Sequence, residues 1–324
     1  MKKVSILVPE SSVLQAIADP QYLFITVNQF LLSRGNPPLF EVELVGARRE
    51  VKLNNGSYSI HTDRLLNEVE KTDLVFVPAL FGDMTQAIEK NKSAIPWIAA
   101  QYQKGAEVAS LCVGAFLLAA TGLLNGKKCS THWGFQSELK EKFPEVEVVE
   151  GSIVTEEKRI YSSGGANSYW NLLLYLVEKY TDRETAILAS KYFAIDIDRN
   201  SQAAFAMFKG QKNHNDAEIL RAQQYIETNL HEKITIDELA DSVAISRRTF
   251  ERRFKQATNN SVLEYIQRVK MEAAKRSFES SRKNINEVMF DVGYTDTKAF
   301  RSIFKKITGL SPIEYRNKYS KQVA

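Results

Sequence analysis

A cysteine between a buried strand and a helix is the side chain best suited to covalent chemistry in this sequence. Residues 107–112 have the pattern of a buried strand and residues 115–121 that of a helix. Cys112 therefore stands at a sharp strand–helix turn, where α/β enzymes hold a nucleophile. Amides at the start of the helix, including that of Val113, would lower a thiol pKa and hold an oxyanion, with His132 as neighbouring base. Spacing alone also fits an inert buried cysteine and a structural histidine.

A second group of side chains, near the C terminus, suits DNA recognition. Two predicted helices each carry a pair of phenylalanines four residues apart, Phe250/Phe254 and Phe300/Phe304, which predicts one buried face on each helix. The opposite faces carry groups that read base edges or hold phosphates. These candidate DNA-binding residues are Arg247, Arg248, Glu251, Arg252 and Lys255 on the first helix, and Thr297, Lys298, Arg301, Ser302 and Lys305 on the second.

These two helices belong to a duplicated unit. Residues 239–246 are echoed by residues 289–296, and the phenylalanine pairs recur at the same offset of roughly 50 residues. Each copy has a short amphipathic helix (235–241 or 285–290), a tight turn and an N-cap, Ser246 or Asp296, for a second helix. The pattern predicts two helix-turn-helix units joined by a helix over residues 262–277.

The first 200 residues alternate between predicted strands and helices. Apolar runs at 3–8, 40–45, 73–78 and 107–112 are typical of buried parallel strands, and helical patterns follow them. This alternation predicts a doubly wound α/β sheet of flavodoxin-like type. Residues 209–216 are polar and predict a linker.

Composition restricts the possible functions. Residues 216–324 hold 20 lysines and arginines against 15 acidic residues, a net charge of +5, whereas the whole chain carries +4. The basic excess therefore lies in the predicted DNA-binding part. The two cysteines, Cys112 and Cys129, provide neither a disulfide framework nor a metal cluster, and no cofactor is expected. The first apolar run is too short for a signal peptide, and no stretch predicts a membrane span, so we expect a cytoplasmic protein.

The last third of the chain, from about residue 218 to 319, resembles the DNA-binding domain of AraC/XylS-family transcriptional regulators. The most recognisable residues of that family lie in the second copy: Ile285, Val288, Phe290, Gly293, Tyr294, Phe300, Phe304, Lys305, Gly309, Pro312, Tyr315 and Arg316. The resemblance implies that both recognition helices enter successive major grooves on one face of DNA, roughly 34 Å apart.

The first part of the chain resembles the PfpI-like members of the class I glutamine amidotransferase-like superfamily. The resemblance is carried by residues 75–78, 112–119, 122–127, 131–133 and 162–171. With the AraC-type tail, the order of domains is similar to that of GlxA-type regulators. In enzymes of the superfamily a cysteine, a histidine and an acidic residue act together, which implies roles for Cys112 and His132. The acidic position falls at Gln15, and the glycine-rich loop is replaced around Ala79, so the site is predicted to be a sensor pocket and not a catalyst.

The sequence thus predicts a transcriptional regulator with three parts: a sensing and dimerisation domain (1–208), a linker (209–216) and a DNA-binding domain (217–324). The expected partners are double-stranded promoter DNA, a small-molecule effector and a second copy of the chain, without a membrane. The predicted effector pocket comprises Gln15, Ala79, Cys112, Val113 and His132. The alternatives are a cysteine-dependent hydrolase or amidase, and a thiol-based redox sensor, both using Cys112.

Overall fold

A computed structural model describes residues 1–197, 201–212 and 214–320 of the chain. It divides into two compact units, Met1–Gln202 (unit 1) and Ala203–Ala324 (unit 2). The division therefore falls six residues before the predicted end of the first domain at residue 208. Part of each predicted segment lies outside the described residues: 198–200 of the first domain, Asn213 of the linker, and 321–324 of the last domain.

Unit 1 is built on one seven-stranded sheet with strand order β10-β11-β7-β6-β1-β2-β5. Neighbouring strands are parallel except β10 and β11, which pair antiparallel. A hairpin (β3, β4) and a two-stranded pair (β8, β9) stand outside this sheet. The strands are β1 Lys2–Leu7, β2 Phe40–Gly46, β3 Glu50–Leu53, β4 Tyr58–His61, β5 Arg64–Leu65, β6 Leu74–Val77, β7 Glu107–Ser110, β8 Lys128–Cys129, β9 Glu147–Val148, β10 Val154–Glu157 and β11 Ile160–Ser163.

The helices of unit 1 follow the strands in sequence, as in a doubly wound fold. Apolar residues of α1 such as Leu23, Phe24 and Val27 are completely buried, as is every residue of β6. The apolar runs therefore form a continuous core between sheet and helices, which confirms the predicted α/β class. The helices are α1 Gln15–Ser33, α2 Met84–Lys90, α3 Ala94–Gln103, α4 Ala115–Ala119, α5 Gln136–Lys142, α6 Tyr169–Tyr180 and α7 Arg183–Phe193.

One edge of this sheet collects the loops that matter for function. The parallel strands β1, β6 and β7 end at Leu7, Val77 and Ser110, so the loops that follow them meet at their carboxyl ends. This is where α/β sheets bind ligands.

Unit 2 is helical and contains two small cores on one long helix. The N-terminal half of α11 supplies Tyr265 and Ile266 to the first core, and its C-terminal half supplies Met271 and Phe278 to the second. Each core encloses one helix-turn-helix unit, as predicted. The helices are α8 Ala217–Thr228, α9 Ile236–Ser242, α10 Arg247–Thr258, α11 Val262–Ser280, α12 Ile285–Asp291, α13 Thr297–Thr308 and α14 Pro312–Tyr319.

The two copies are not related by one constant offset, and that prediction was wrong. The second helices begin 50 residues apart, at Arg247 and Thr297, but the first begin 49 apart, at Ile236 and Ile285. The turn residues with positive φ, Ala244 and Gly293, are also separated by 49 residues. The second turn therefore contains one more residue than the first. Because this residue follows the helix, both copies keep equivalent faces buried.

Candidate functional site

The second helix of the first helix-turn-helix unit, α10, presents a basic face to solvent. Its N-cap is Ser246, whose hydroxyl accepts from the Thr249 amide. Phe250 and Phe254 are fully buried and anchor the helix by one side. Arg252 lies on the exposed side. An end cap and an apolar back thus fix the orientation of the cationic front.

The cations of α10 differ in how they are already engaged. Arg247 pairs with Asp237 at 3.0 Å and with Glu251 at 3.5 Å. Arg248 and Arg252 are exposed and make no ion pair within the described part of the chain. These two guanidinium groups are therefore the ones available to a nucleic acid without first breaking a bond.

Arg253 shows the opposite behaviour. Its guanidinium donates to Asp216 at 2.9 and 2.6 Å and to Glu218 at 2.6 Å. Asp216 is also the N-cap of α8, accepting from the Ile219 amide. Arg253 therefore ties α10 to the start of α8 and belongs to the scaffold.

The second helix-turn-helix unit repeats the arrangement on α13. Asp296 accepts from the Lys298 amide at 2.8 Å and starts the helix, and Phe300 and Phe304 are fully buried. The outward side chains predicted from the sequence are exposed, except for half-buried Thr297; the exposed members are Lys298, Arg301, Ser302 and Lys305. The sequence analysis did not single out Lys306, which is also exposed.

A buried lysine lies between the two helix-turn-helix units of unit 2. Lys270 of α11 is 5% exposed, donates to the Glu232 carbonyl at 2.9 Å and lies over the Tyr294 ring at 5.6 Å. Burial lowers the pKa of this ammonium. Gly293 has a φ of +71°, and a Cβ there would meet the His231 carbonyl oxygen at 2.7 Å, so the turn of the second helix-turn-helix unit requires glycine. Lys270 thus connects the segment before α9 with the turn after α12.

In unit 1, Cys112 has the backbone geometry of an elbow. Its φ is +55°, in the left-handed region. Its amide donates to Ser163 Oγ at 3.3 Å, and its carbonyl accepts from Thr131 Oγ1 at 3.1 Å. A Cβ on Gly114 would meet the Pro78 carbonyl oxygen at 2.5 Å, so only glycine permits this close approach to the end of β6.

The thiol of Cys112 is not prepared for nucleophilic attack. The residue is 5% exposed, and burial raises its pKa to about 12. His132 is half-buried, its pKa is lowered by burial, and its Nδ1 accepts from the Gly134 amide at 3.1 Å. Within the described residues no hydrogen bond joins Cys112 and His132. A protonated thiol and a neutral imidazole do not form the ion pair that activates a cysteine.

The acidic side chains near the start of α1 are bonded to residues other than Cys112 and His132. Gln15 is exposed at the first residue of the helix. One turn later, Asp19 accepts from Tyr169 Oη at 2.6 Å and from Trp170 Nε1 at 3.0 Å. Glu10 pairs with Arg48 at 3.1 Å. The sequence analysis missed Asp19, although an acidic residue one helical turn beyond Gln15 was the available signal.

A cavity of about 750 Å³ lies at the carboxyl edge of the sheet. Gln15, Phe81 and Tyr58 of the β3–β4 hairpin are among its lining residues. The other predicted pocket residues, Ala79, Cys112, Val113 and His132, are absent from its described lining, and the first three are buried. Of these four, Ala79 is joined to the lining, since its carbonyl accepts from the amide of the lining residue Val13 at 2.8 Å.

The described residues offer neither a metal site nor a membrane-spanning helix. They contain no group of three or more histidine, cysteine or acidic side chains placed to hold a metal ion. None of their helices is long and apolar enough to cross a membrane.

Comparison with known proteins agrees with this two-part architecture. Residues 239–318 match a helix-turn-helix domain model, and residues 32–179 match the DJ-1/PfpI family model. The HTH-type transcriptional regulator GbdR of Pseudomonas aeruginosa is 28% identical over 223 residues, covering 68% of this chain and 60% of the relative. The HTH-type transcriptional regulator CdhR of the same species is 22% identical over 288 residues, covering 88% and 84%.

The chain thus spans about 60% of the length of the first relative that it matches. A solved AraC family transcriptional regulator from Pseudomonas putida has a TM-score of 0.51 at 18% identity, covering 60% of this chain and all of that one. At this identity the likeness supports the fold.

Proposed function

This chain joins a DJ-1/PfpI-type domain to an AraC-type helix-turn-helix domain, and we propose that it regulates transcription by binding promoter DNA. The observation that carries the proposal is the pair of helix-turn-helix units whose second helices bury phenylalanines and expose cations; among these, Arg248 and Arg252 make no ion pair within the described residues. Each unit offers one helix of the right size and charge for a major groove.

In the proposed complex, α10 and α13 lie in successive major grooves. Arg248, Arg252 and Arg301 are free to form forked hydrogen bonds with guanine, while Lys255 and Lys305 are placed for phosphates. Arg247 would exchange its bond to Asp237 for a phosphate or base. The remaining proposed contacts are Glu251, Thr297, Lys298 and Ser302.

We propose that unit 1 senses a small molecule at the carboxyl edge of the sheet. The cavity of about 750 Å³ is within the usual range for ligand pockets, and Gln15 lines it. Ala79, Cys112, Val113 and His132 remain proposed effector contacts, and of these Ala79 is bonded to the lining residue Val13. An effector acts only if it favours one arrangement of the protein over another.

Homodimerisation is supported by the outer face of α1. Tyr22, Ile25 and Leu32 are exposed at helical spacing, and Asp19 is the sole charged side chain among the 19 residues of this helix. In a two-fold contact each residue faces a symmetry copy of the same patch, so an uncharged apolar face avoids like-charge repulsion. Ile25→Lys should therefore convert a dimer to a monomer in sedimentation equilibrium; an unchanged mass would exclude this face.

The protonated Cys112 thiol and its lack of a bond to His132 argue against the hydrolase and redox-sensor alternatives. We propose that the protein is not an enzyme and acts in the cytoplasm, where promoter DNA is accessible.

The test is selection of sheared DNA from the source genome on the intact protein, followed by sequencing. The matched control is the Arg252→Ala/Arg301→Ala double variant, which changes only exposed side chains and should remain folded. Enrichment by the native protein that the variant loses is the expected result. Equal, sequence-independent recovery on both proteins would refute the proposal.

A further inference from the structure

Gln202, the last residue of unit 1, is hydrogen-bonded to the loop of residues 131–133, which contains His132 and contacts Cys112. It is 1% exposed. Its side-chain amide donates to the Thr131 carbonyl at 2.9 Å and to the Ser152 carbonyl at 3.0 Å, and its Oε1 accepts from the Trp133 amide at 3.2 Å. One side chain therefore holds both residues that flank His132.

This attachment continues to Cys112. Thr131 accepts from Gln202 through its carbonyl, and its hydroxyl donates to the Cys112 carbonyl at 3.1 Å. Two consecutive hydrogen bonds thus connect Gln202 to the elbow. A displacement of the 131–133 loop breaks or strains the bonds of Gln202, because a buried amide without partners is costly.

The chain that follows Gln202 begins unit 2 and is hydrogen-bonded to α11. The Phe208 amide donates to Glu272 Oε2 at 3.1 Å, and Lys275 Nζ donates to the Ala206 carbonyl. Glu272 and Lys275 form an ion pair at 2.7 Å and are only 8% and 4% exposed. We call residues 203–208 the strap.

The strap touches the cores of both helix-turn-helix units. The Phe208 ring packs on Tyr265, of the first core, with ring centroids 5.2 Å apart. The Phe205 ring contacts Tyr319, which packs on the second core, at 6.5 Å. The strap is also hydrogen-bonded to α11, the helix that carries both cores. Attachment of the strap therefore affects how firmly the two helix-turn-helix units are held to each other.

The two attachments are close in sequence. Five residues lie between Gln202 and Phe208, and an extended chain covers at most about 20 Å from one to the other. The strap is therefore the shortest covalent route from the Gln202 side chain to the bonds that Phe208 makes.

We propose that Gln202 is the coupling residue that transmits the state of the Cys112–His132 loops to the DNA-binding domain through the strap. The proposal rests on the proposed sensing function for its biological meaning. A ligand that moves the 131–133 loop releases Gln202, and the strap then loosens on α11. By thermodynamic reciprocity, loosening the strap must also loosen the elbow loop.

The experiment is amide hydrogen exchange on the full chain, read on peptides that contain Trp133 and Phe208. In Gln202→Ala both amides should exchange faster, the Phe208 amide by at least about 5-fold, the lower end of coupling between linked sites. In Lys275→Met, which removes the bond to the Ala206 carbonyl and the ion pair with Glu272, the Trp133 amide should accelerate in turn.

A second variant changes the position of the Gln202 side chain through a neighbouring residue, Gly164. A Cβ on Gly164 would lie 2.0 Å from Gln202 Nε2, so Gly164→Ala should displace the glutamine without removing it and give the same pattern. The matched control is Gln101→Ala. Gln101 is another buried glutamine of unit 1, and its described hydrogen bonds join it to the Thr72 amide and the Val69 carbonyl at 3.1 Å each.

The proposal is overturned if the Phe208 amide exchanges at the native rate in both Gln202→Ala and Gly164→Ala. It is equally overturned if Gln101→Ala accelerates Phe208 as much, since the effect would then be general destabilisation. The measurement uses neither DNA nor effector, so this failure is distinguishable from failure of the regulatory function.

Discussion

The two cysteines should be nearly inert to alkylation in the folded protein. Burial raises the pKa of both Cys112 and Cys129 to about 12. At pH 8 such a thiol is about one part in 10,000 thiolate, whereas an unfolded cysteine with a pKa near 8.5 is roughly one quarter thiolate. Because the thiolate is the nucleophile, ionisation alone should slow labelling by roughly 2,000-fold.

The assay is iodoacetamide labelling of native and urea-unfolded protein at pH 8, with each cysteine followed by mass spectrometry. Cys129 is an internal control, since it is also buried but belongs to β8 and not to the strand–helix elbow. Slow labelling of both residues is expected. Rapid labelling of Cys112 with Cys129 still protected would refute the reasoning and restore the catalytic and redox alternatives.

The same pKa shifts predict a pH dependence of stability. Each thiol holds its proton more tightly in the folded protein, so unfolding releases protons between about pH 9 and 12. The free energy of unfolding should therefore fall as the pH rises through this range, by up to about 1.4 kcal/mol per pH unit for each thiol. Replacing Cys112 with Ala should reduce this slope in urea titrations, whereas an unchanged slope would contradict the assigned pKa.

Four substitutions in unit 2 separate binding from folding. Arg252→Ala should cost about 1–3 kcal/mol of DNA affinity and relax one base preference in binding titrations; unchanged affinity and preference would show that α10 is misplaced. Lys305→Ala should weaken all sequences alike and reduce the salt slope by about one; a sequence-selective loss would contradict a phosphate contact. Arg253→Ala should lower the unfolding midpoint at low salt by freeing Asp216, and an unchanged midpoint would remove its scaffold role. Phe304→Ala should lower the free energy of unfolding by about 3–5 kcal/mol, and a loss below ~1 kcal/mol would mean that its core is not packed as described.

Periodicity made the main features of the fold predictable. The buried runs of β1, β6 and β7 and the phenylalanine pairs of α10 and α13 each match one structural period, so element type and facing direction followed directly. The separation between the first helices of the two copies, α9 and α12, is one residue smaller than the sequence analysis predicted. The phenylalanines fix the register of the second helices, but an added residue in a turn leaves no periodic signal.

The candidate site was less predictable because it depends on contacts distant in sequence. The elbow position of Cys112 followed from local pattern, whereas its raised pKa depends on burial by several elements. The engagement of Asp19 by Tyr169 joins residues 150 positions apart. Gln202 and the strap were also missed, because their anchors are single side-chain bonds to distant loops and carry no compositional signal.

The central claim is that both helix-turn-helix units bind one DNA duplex together. Footprinting of the intact protein on a site recovered from its genome tests this most directly. We expect two protected major-groove segments about one helical turn apart on the same face, with Arg301→Ala exposing only the segment read by α13. A single protected segment that both Arg252→Ala and Arg301→Ala leave unchanged would contradict the account.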